Sequence, residues 1–159
     1  MKTKRTWAQK LADDKGFPKV AAIDGKMSRR WGEGTFVIPA PREVDALMRT
    51  VRKGNLTTID QIRSKLARTH SATMACPITT GIFARIAAHA ANESEQQGGK
   101  RITPYWRTLK TGGELNPKYP GGILNLRPRL QAEGHRVVQK GKRFFVTGYE
   151  AAIAPLHLR

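Results

Sequence analysis

Two short segments of this 159-residue chain carry the side chains best suited to chemistry, Pro104-Tyr105-Trp106-Arg107 and Glu133-Gly134-His135-Arg136. The first segment offers only the phenol of Tyr105 as a nucleophile. A tyrosine has an ordinary pKa of about 10, so this hydroxyl stays protonated at neutral pH. It is a weak nucleophile compared with an activated thiolate, so the residues do not indicate covalent transfer at this segment.

The remaining reactive residues do not form a second candidate site. Cys76, the single cysteine, precedes Pro77 at a predicted helix start, where the pKa of a thiol can be depressed. No His-Arg pair follows it, so we do not expect it to be catalytic. The histidines show no spacing typical of metal ligands: His70, His89, His135 and His157. The sequence predicts no metal and no cofactor.

The charge of the chain indicates a polyanionic partner. Its 29 Lys and Arg residues against 12 Asp and Glu give a formal net charge of +17. DNA or RNA is the expected partner, and the alternative is a basic protein that touches ribosomes or membranes nonspecifically. No apolar run approaches the roughly 20 residues that span a bilayer. We expect a cytoplasmic, nucleoid-associated protein with no membrane partner.

The elements that would position the two segments are mainly helices. A first helix should begin at Pro41 and a second at Thr58, an N-cap residue with Gln61 reaching back to form a capping box. The first helix has an apolar residue at each position of one face, namely Val44, Leu47, Met48 and Val51. The second should bury Ile59, Ile62 and Leu66.

A third helix and a hairpin complete the predicted domain. The third helix should span Pro77–Asn92, and with the second helix, Thr58–Arg68, it would form a helix-turn-helix. Its apolar stripe comprises Ile78, Ile82, Phe83, Ile86 and Ala90. A short helix, interrupted by Pro128, is expected over residues 124–132. Residues 137–146 are typical of a β-hairpin with a basic tip, which would serve as a wing.

These elements predict a mainly α fold, a winged helix-turn-helix-like domain with a small β-hairpin and a basic N-terminal arm. The domain should span residues 35–148. Residues 1–34 lack a sustained apolar period and are interpreted as a flexible or loosely docked arm that follows phosphates. Residues 149–159 are left as a C-terminal tail.

The order of these motifs resembles the DNA-binding domain of the alkylguanine-DNA alkyltransferases. In that family a Pro-Cys-His-Arg motif carries the cysteine that accepts the alkyl group, and a glycine loop follows it. Here Pro104 and Arg107 match, but Tyr105 replaces the cysteine and Trp106 the histidine. Glu133 matches the glutamate of the family's relay and would form a structural hydrogen bond or ion pair with Arg107. The resemblance runs from about residue 36 to residue 143.

The alkyltransferase-like proteins, which lack the cysteine, are the nearer comparison within this resemblance. They bind alkylated DNA without repairing it and flag it for other repair machinery. The resemblance therefore implies no alkyl transfer, double-stranded DNA containing alkylated guanine as ligand, and a repair protein as partner. The family's helix arginine that fills the gap left by a flipped base corresponds to Ile78, and its tyrosine on the second helix to Ile59. Arg85 is the residue that could replace the lost arginine.

The site predicted from the residues and the resemblance has three parts. The degenerate catalytic positions are Tyr105, Trp106 and Glu133. The expected lesion pocket comprises Ile59, Ile78, Pro104, Tyr105, Trp106 and Arg107. The side chains expected at DNA are Arg63, Thr79, Thr80, Arg85, Arg107, Lys140 and Lys142.

Two other functions are compatible with the sequence. The chain could be a sequence-neutral architectural or regulatory nucleic-acid-binding protein with a filled, vestigial pocket. It could also be an enzyme with a different nucleophile, although no activated residue is apparent in the sequence. A cavity beside Tyr105 would favour lesion recognition. The ring of Trp106 could equally stack on a base or fill the vacated site, and a packed Trp106 would favour the vestigial pocket.

Overall fold

The computed structural model describes residues 4–156, of which about half are helical. The helices are α1 (Trp7–Ala12), α2 (Lys26–Trp31), α3 (Pro41–Arg49), α4 (Ile59–Thr69), α5 (Pro77–Gln96) and α6 (Gly122–Ala132). The strands are β1 (Lys19–Ala22), β2 (Thr35–Ile38), β3 (Thr57–Thr58), β4 (Met74–Ala75), β5 (Thr108–Leu109), β6 (Val137–Lys140) and β7 (Arg143–Val146). Single 3-10 turns lie at Tyr105–Arg107, Thr111–Gly113 and Tyr149–Ala152.

The strands form three small sheets around the helices. β2 pairs with β1 in antiparallel and with β4 in parallel orientation. β3 pairs with β5 in parallel, which ties the start of α4 to the chain just after Arg107. β6 and β7 form the predicted antiparallel hairpin, in register from Val137 opposite Val146 to Lys140 opposite Arg143.

The core lies between α3, α4 and α5. Val44, Leu47 and Met48 of α3 are buried, as is Val51 just beyond the end of that helix. Ile62 and Leu66 of α4 are buried as well. α5 packs against α3 and α1 through an alanine-rich side, Ala84, Ala87, Ala88, Ala90 and Ala91, together with Phe83 and Ile86. The small side chains let the helix axes approach closely. The predicted stripe of α5 is therefore partly wrong, because Ile78 and Ile82 lie outside this contact and are 58% and 50% exposed.

The N-terminal residues do not form a separate arm in the part of the chain that the structure describes. α1 packs against α5, and its first two backbone N–H groups donate to the carboxylate of Glu93 at 3.2 Å. The ring of Trp7 stacks on His89 at 4.4 Å. β1 pairs with β2 across the predicted boundary near residue 34. The boundary is corrected because these contacts join residues 6–34 to the core; residues 1–3 lie outside the described range.

Smaller differences concern the ends of elements. α5 continues to Gln96, four residues beyond the predicted end, and α6 runs through Pro128 without interruption. Thr58 caps α4 by accepting from the Gln61 N–H at 3.4 Å, but the reciprocal bond of the predicted capping box is absent from α4. The predicted C-terminal tail includes residues that pair with the core, since the N–H of Leu56 donates to the Ala152 carbonyl at 2.9 Å. Residues 157–159, including His157, lie outside the described range.

Candidate nucleic-acid interface

Tyr105, the residue that stands where the resembling family has its acceptor cysteine, is part of the core of this protein. Its side chain is fully buried. The hydroxyl accepts a hydrogen bond from Asn125 Nδ2 at 2.8 Å, and the ring packs edge-on against Trp106 at 5.3 Å and Tyr119 at 6.2 Å. Burial raises the pKa of Tyr105 and outweighs the opposing hydrogen bond from Asn125. The phenol is held protonated and out of contact with solvent.

The adjacent Trp106, Arg107 and Glu133 form one hydrogen-bonded unit. Arg107 makes a bidentate pair with Glu133, Nε to Oε1 and Nη2 to Oε2, both at 2.8 Å, and Trp106 Nε1 donates to the same carboxylate at 2.9 Å. Burial opposes the charge of Glu133, but the hydrogen bonds from Arg107 and Trp106 lower its pKa overall. The structure contains the predicted pairing of Glu133 with Arg107.

A further cation, Arg129 of α6, packs against Trp106 of this unit. The guanidinium of Arg129 lies 4.6 Å from the centre of the Trp106 ring and pairs with Glu95 on α5. Its Nε also donates to Asn125, the residue that holds the Tyr105 hydroxyl. Trp106 is thus packed, one of the two outcomes that the sequence left open. Arg107, predicted to contact DNA, contacts Glu133 and the Val51 carbonyl within the protein instead.

A cavity of about 290 Å³ lies near Tyr105, but Tyr105 is not among the residues that line it. Its volume lies near the lower end of the roughly 300–1,000 Å³ of typical small-molecule sites. Tyr119 lines it and separates it from Tyr105. The other lining residues come from α4, from α5, from β5 and the loop that follows it, and from β7: Ile59, Pro77, Gly81, Ala84, Leu109, Lys110, Thr111, Glu114, Asn116 and Arg143. Of the predicted pocket, only Ile59 belongs to this lining.

The charges at the cavity belong mainly to one cluster. Glu114 is buried and accepts from Arg143 Nη2 at 2.7 Å, with Lys110 Nζ at 3.7 Å. The hydrogen bond from Arg143 is the main reason that the pKa of Glu114 is lowered, although burial opposes it. One carboxylate faces two cations, which leaves this wall of the cavity with a net positive charge suited to a polyanion.

A groove on the surface of α5 continues from this cavity. Exposed Ile78, Ile82 and Arg85 lie on α5 at i, i+4 and i+7, on one side of the helix. They face a loop that supplies Lys110, Asn116, Pro117 and Lys118, and the groove between them has a volume of about 280 Å³. Gly81, Lys110 and Asn116 line both the groove and the cavity. The two spaces are therefore parts of one surface.

The structure separates the predicted DNA-facing residues into two groups. Arg85, Lys140 and Lys142 are exposed. Thr80 is fully buried with its hydroxyl donating to the Cys76 carbonyl at 2.6 Å, and the Oγ1 atom of Thr79 is also buried, so neither hydroxyl is accessible at the surface of α5. Arg63 is held back by its bond to the Ala75 carbonyl at 3.1 Å. The prediction that Thr79 and Thr80 contact DNA is therefore corrected, because their hydroxyls lie on sides of α5 that face the protein.

Sequence reasoning missed several residues that line the cavity. Tyr119 precedes the glycine loop Pro120-Gly121-Gly122. This loop could have indicated Tyr119 as a cavity residue, because a loop that closes a pocket also supplies residues to its wall. Glu114 and Asn116 carried no such signal. They reach the cavity because the Lys110–Glu114 bridge folds the chain back beside β7.

Two features are absent from residues 4–156, a cluster of metal ligands and a helix that could cross a membrane. No group of three or more His, Cys, Asp or Glu side chains there could hold a metal ion. No helix in the same range has the length and apolar character needed to cross a membrane.

Comparison with known proteins gives a fold relationship. No protein-family model matches the sequence, and no curated protein is significantly similar to it. Among solved structures the chain is similar to S. pombe Atl1, solved in complex with damaged DNA containing O6-carboxymethylguanine. The match has a TM-score of 0.51 and 16% sequence identity, and it covers 72% of this chain and 93% of Atl1. The chain therefore has a fold related to that of an alkyltransferase-like protein.

Proposed function

We propose that this protein binds double-stranded DNA without catalysing alkyl transfer and recognises alkylated or distorted guanine. The observation that carries the proposal is the cavity that opens beside the exposed side of α5, in a fold related to that of a protein solved with damaged DNA. A cavity at the protein surface is what an extruded base or its adduct requires.

The chemistry of the site supports a non-catalytic role. The phenol of Tyr105 is buried and its pKa is raised, so it offers no nucleophile at neutral pH. Cys76 is buried in a different cluster, with Ile23 and Phe36, and does not line the cavity. Glu133 is occupied by Arg107 and Trp106, and it therefore activates no other group.

In the proposed complex, α4 and α5 act as the helix-turn-helix and the β6–β7 hairpin acts as a wing. The exposed Ile78 would enter the base stack as an apolar wedge, Arg85 would contact a phosphate, and the lesion would enter the cavity. Lys140 and Lys142, at the exposed end of the hairpin, would contact the backbone farther along. A repair protein as further partner and a place in the cytoplasm at the nucleoid are parts of the same proposal.

The test is a binding comparison between two duplexes that differ only in one guanine, plain or O6-alkylated. The blocking variant is Gly81→Leu, because Gly81 lines both the cavity and the groove and, apart from its chain neighbours and the surrounding backbone of α5, no atom lies within 4 Å of where its Cβ would be. Gly81→Ala is the matched control, since it adds only that Cβ and should stabilise α5 by roughly 1 kcal/mol.

Tighter binding to the lesion in the wild type and in Gly81→Ala, with the preference lost in Gly81→Leu, is the expected result. Equal binding to both duplexes, falling steeply with salt, would instead support the second candidate, a sequence-neutral architectural or regulatory nucleic-acid-binding protein. That candidate is favoured by the packed Trp106 and by the net charge of +17. Binding no tighter than that of a charge-matched basic protein would rule out both.

A further inference from the structure

A second basic surface lies on α2, outside the region that resembles the alkyltransferases. Lys26, Arg29 and Arg30 are exposed and lie at i, i+3 and i+4, which places them on one side of this helix. The acidic residues nearest in sequence, Asp24 and Glu33, lie before and after α2 rather than on it. Within residues 4–156 none of the three cations forms an ion pair.

The opposite side of α2 is attached to the start of α5. Met27 and Trp31 pack against a small hydrophobic cluster of Ile23, Phe36 and Cys76. The ring of Trp31 meets that of Phe36 edge-on at 5.5 Å. Cys76 is the N-cap residue of α5. The α2 surface is thus held in a defined position beside the end of α5 that carries exposed Ile78.

The attachment also runs through the backbone. β1, which leads into α2, pairs with β2, and β2 pairs with β4, the strand that ends just before Cys76. The Cys76 N–H donates to the Val37 carbonyl at 2.9 Å. A charged surface on a docked element keeps a fixed spacing from the groove, whereas one on a disordered tail does not.

We propose that Lys26, Arg29 and Arg30 form a second phosphate-binding surface that extends the contact with duplex DNA beyond the N-terminal end of α5. The proposal rests on the proposed function, because it takes α5 as the element at the DNA. Contacts of this kind set affinity and register without reading the base sequence. The α2 surface therefore lengthens the footprint and leaves the preference for a lesion unchanged.

The experiment compares two double variants of the full chain that lose the same charge. Lys26→Gln/Arg29→Gln removes one lysine and one arginine from the α2 surface. Arg52→Gln/Lys53→Gln removes one of each from an exposed turn that is not part of the cavity or the groove. Affinity is measured on plain and O6-alkylated duplexes, over a salt series and with increasing duplex length. Thermal melting checks that each variant folds as the wild type does.

The α2 variant should bind a long duplex roughly tenfold more weakly at low salt, with a slope of log K against log salt reduced by about 2, because each phosphate contact contributes about 0.9. The affinity and salt slope of the control variant should change much less. The ratio of affinities for the plain and the O6-alkylated duplex should stay constant in both variants. On duplexes too short to reach α2, the α2 variant should bind as the wild type does. Equal losses in both double variants, or a loss that persists on the shortest duplex bound, would overturn the proposal while leaving DNA binding intact. Failure of the wild type itself to bind duplex DNA would overturn the proposed function as well.

Discussion

The region around Tyr105 and the exposed surface of α5 differ in how their side chains are packed and in how their charges are paired. Around Tyr105 the aromatic rings pack edge-on and the Glu133 carboxylate is fully engaged. On α5 two isoleucines are exposed and Arg85 faces an open groove. The segment that resembles the alkyltransferase motif is packed in the core here, whereas the surface of α5 is open to solvent.

The largest test of this contrast is Tyr105→Ala. Removing a fully buried ring should lower the free energy of unfolding by about 3–5 kcal/mol, because the lost contacts leave a void in the core. Tyr105→Phe is the control and should cost about 1 kcal/mol, through the lost bond to Asn125. Urea unfolding measures both. A small effect of Tyr105→Ala would mean that the region is an open pocket after all.

Glu133→Gln tests whether the ion pair holds the closed region. It should cost about 3 kcal/mol at pH 7, because the Arg107 charge stays buried without its partner. The folded pKa of Glu133 is lowered from an ordinary 4.5, so this stability is present above that pH and is lost as the pH falls through the lower, folded value. The difference between wild type and variant should therefore shrink below pH 4.5.

Unfolding at a series of pH values measures this difference. The exposed Glu150→Gln is the matched control and should stay within about 0.5 kcal/mol at every pH. A wild-type advantage that does not depend on pH would contradict a role for the charge of Glu133.

On the open surface, the double variant Ile78→Ala/Ile82→Ala should have little effect on stability, because both side chains are at least half exposed. It should weaken DNA binding roughly tenfold, or about 1.4 kcal/mol, if the two residues form the apolar edge of the interface. Leu124→Ala removes another exposed apolar side chain, on α6, and should leave binding unchanged. A loss of folding rather than of binding in the double variant would reverse the contrast between the two regions.

The smallest expected effect is that of Arg85→Gln. Loss of a single phosphate contact should reduce the slope of log K against log salt by about 0.9, and affinity should fall only a few-fold. Exposed Arg127→Gln, on α6, is the control and should leave the slope as it is. Equal slopes for the two variants would remove Arg85 from the interface.

The helices of the core could be predicted well because their signals are local. Val44, Leu47 and Met48 repeat at helical spacing and are all fully buried in α3. Pro77 marked the start of α5, and the hairpin over residues 137–146 followed from two apolar runs around a basic turn. In each case neighbours a few residues apart supply the pattern, so the sequence carries the information directly.

The sequence predictions that the structure corrects concern side chains whose burial depends on residues far away in the sequence. Ile78 and Ile82 suit a core as well as a wedge, and α5 buries its alanine side only because α1 and α3 cover it. The N-terminal residues lack a long apolar period, yet α1 docks through contacts with Glu93 and His89, more than 80 residues away in sequence. No local pattern reports a contact of that separation.

Three properties of this protein follow from its amino-acid sequence alone: its charge, its central helices and hairpin, and a tyrosine rather than a cysteine after Pro104. Three others depend on how the chain packs. Tyr105 is closed off, Thr80 turns inward, and a cavity lies in front of Tyr119 rather than beside Tyr105. Composition and periodicity are properties of neighbouring residues, whereas the exposure of a side chain depends on which other elements of the folded chain cover it.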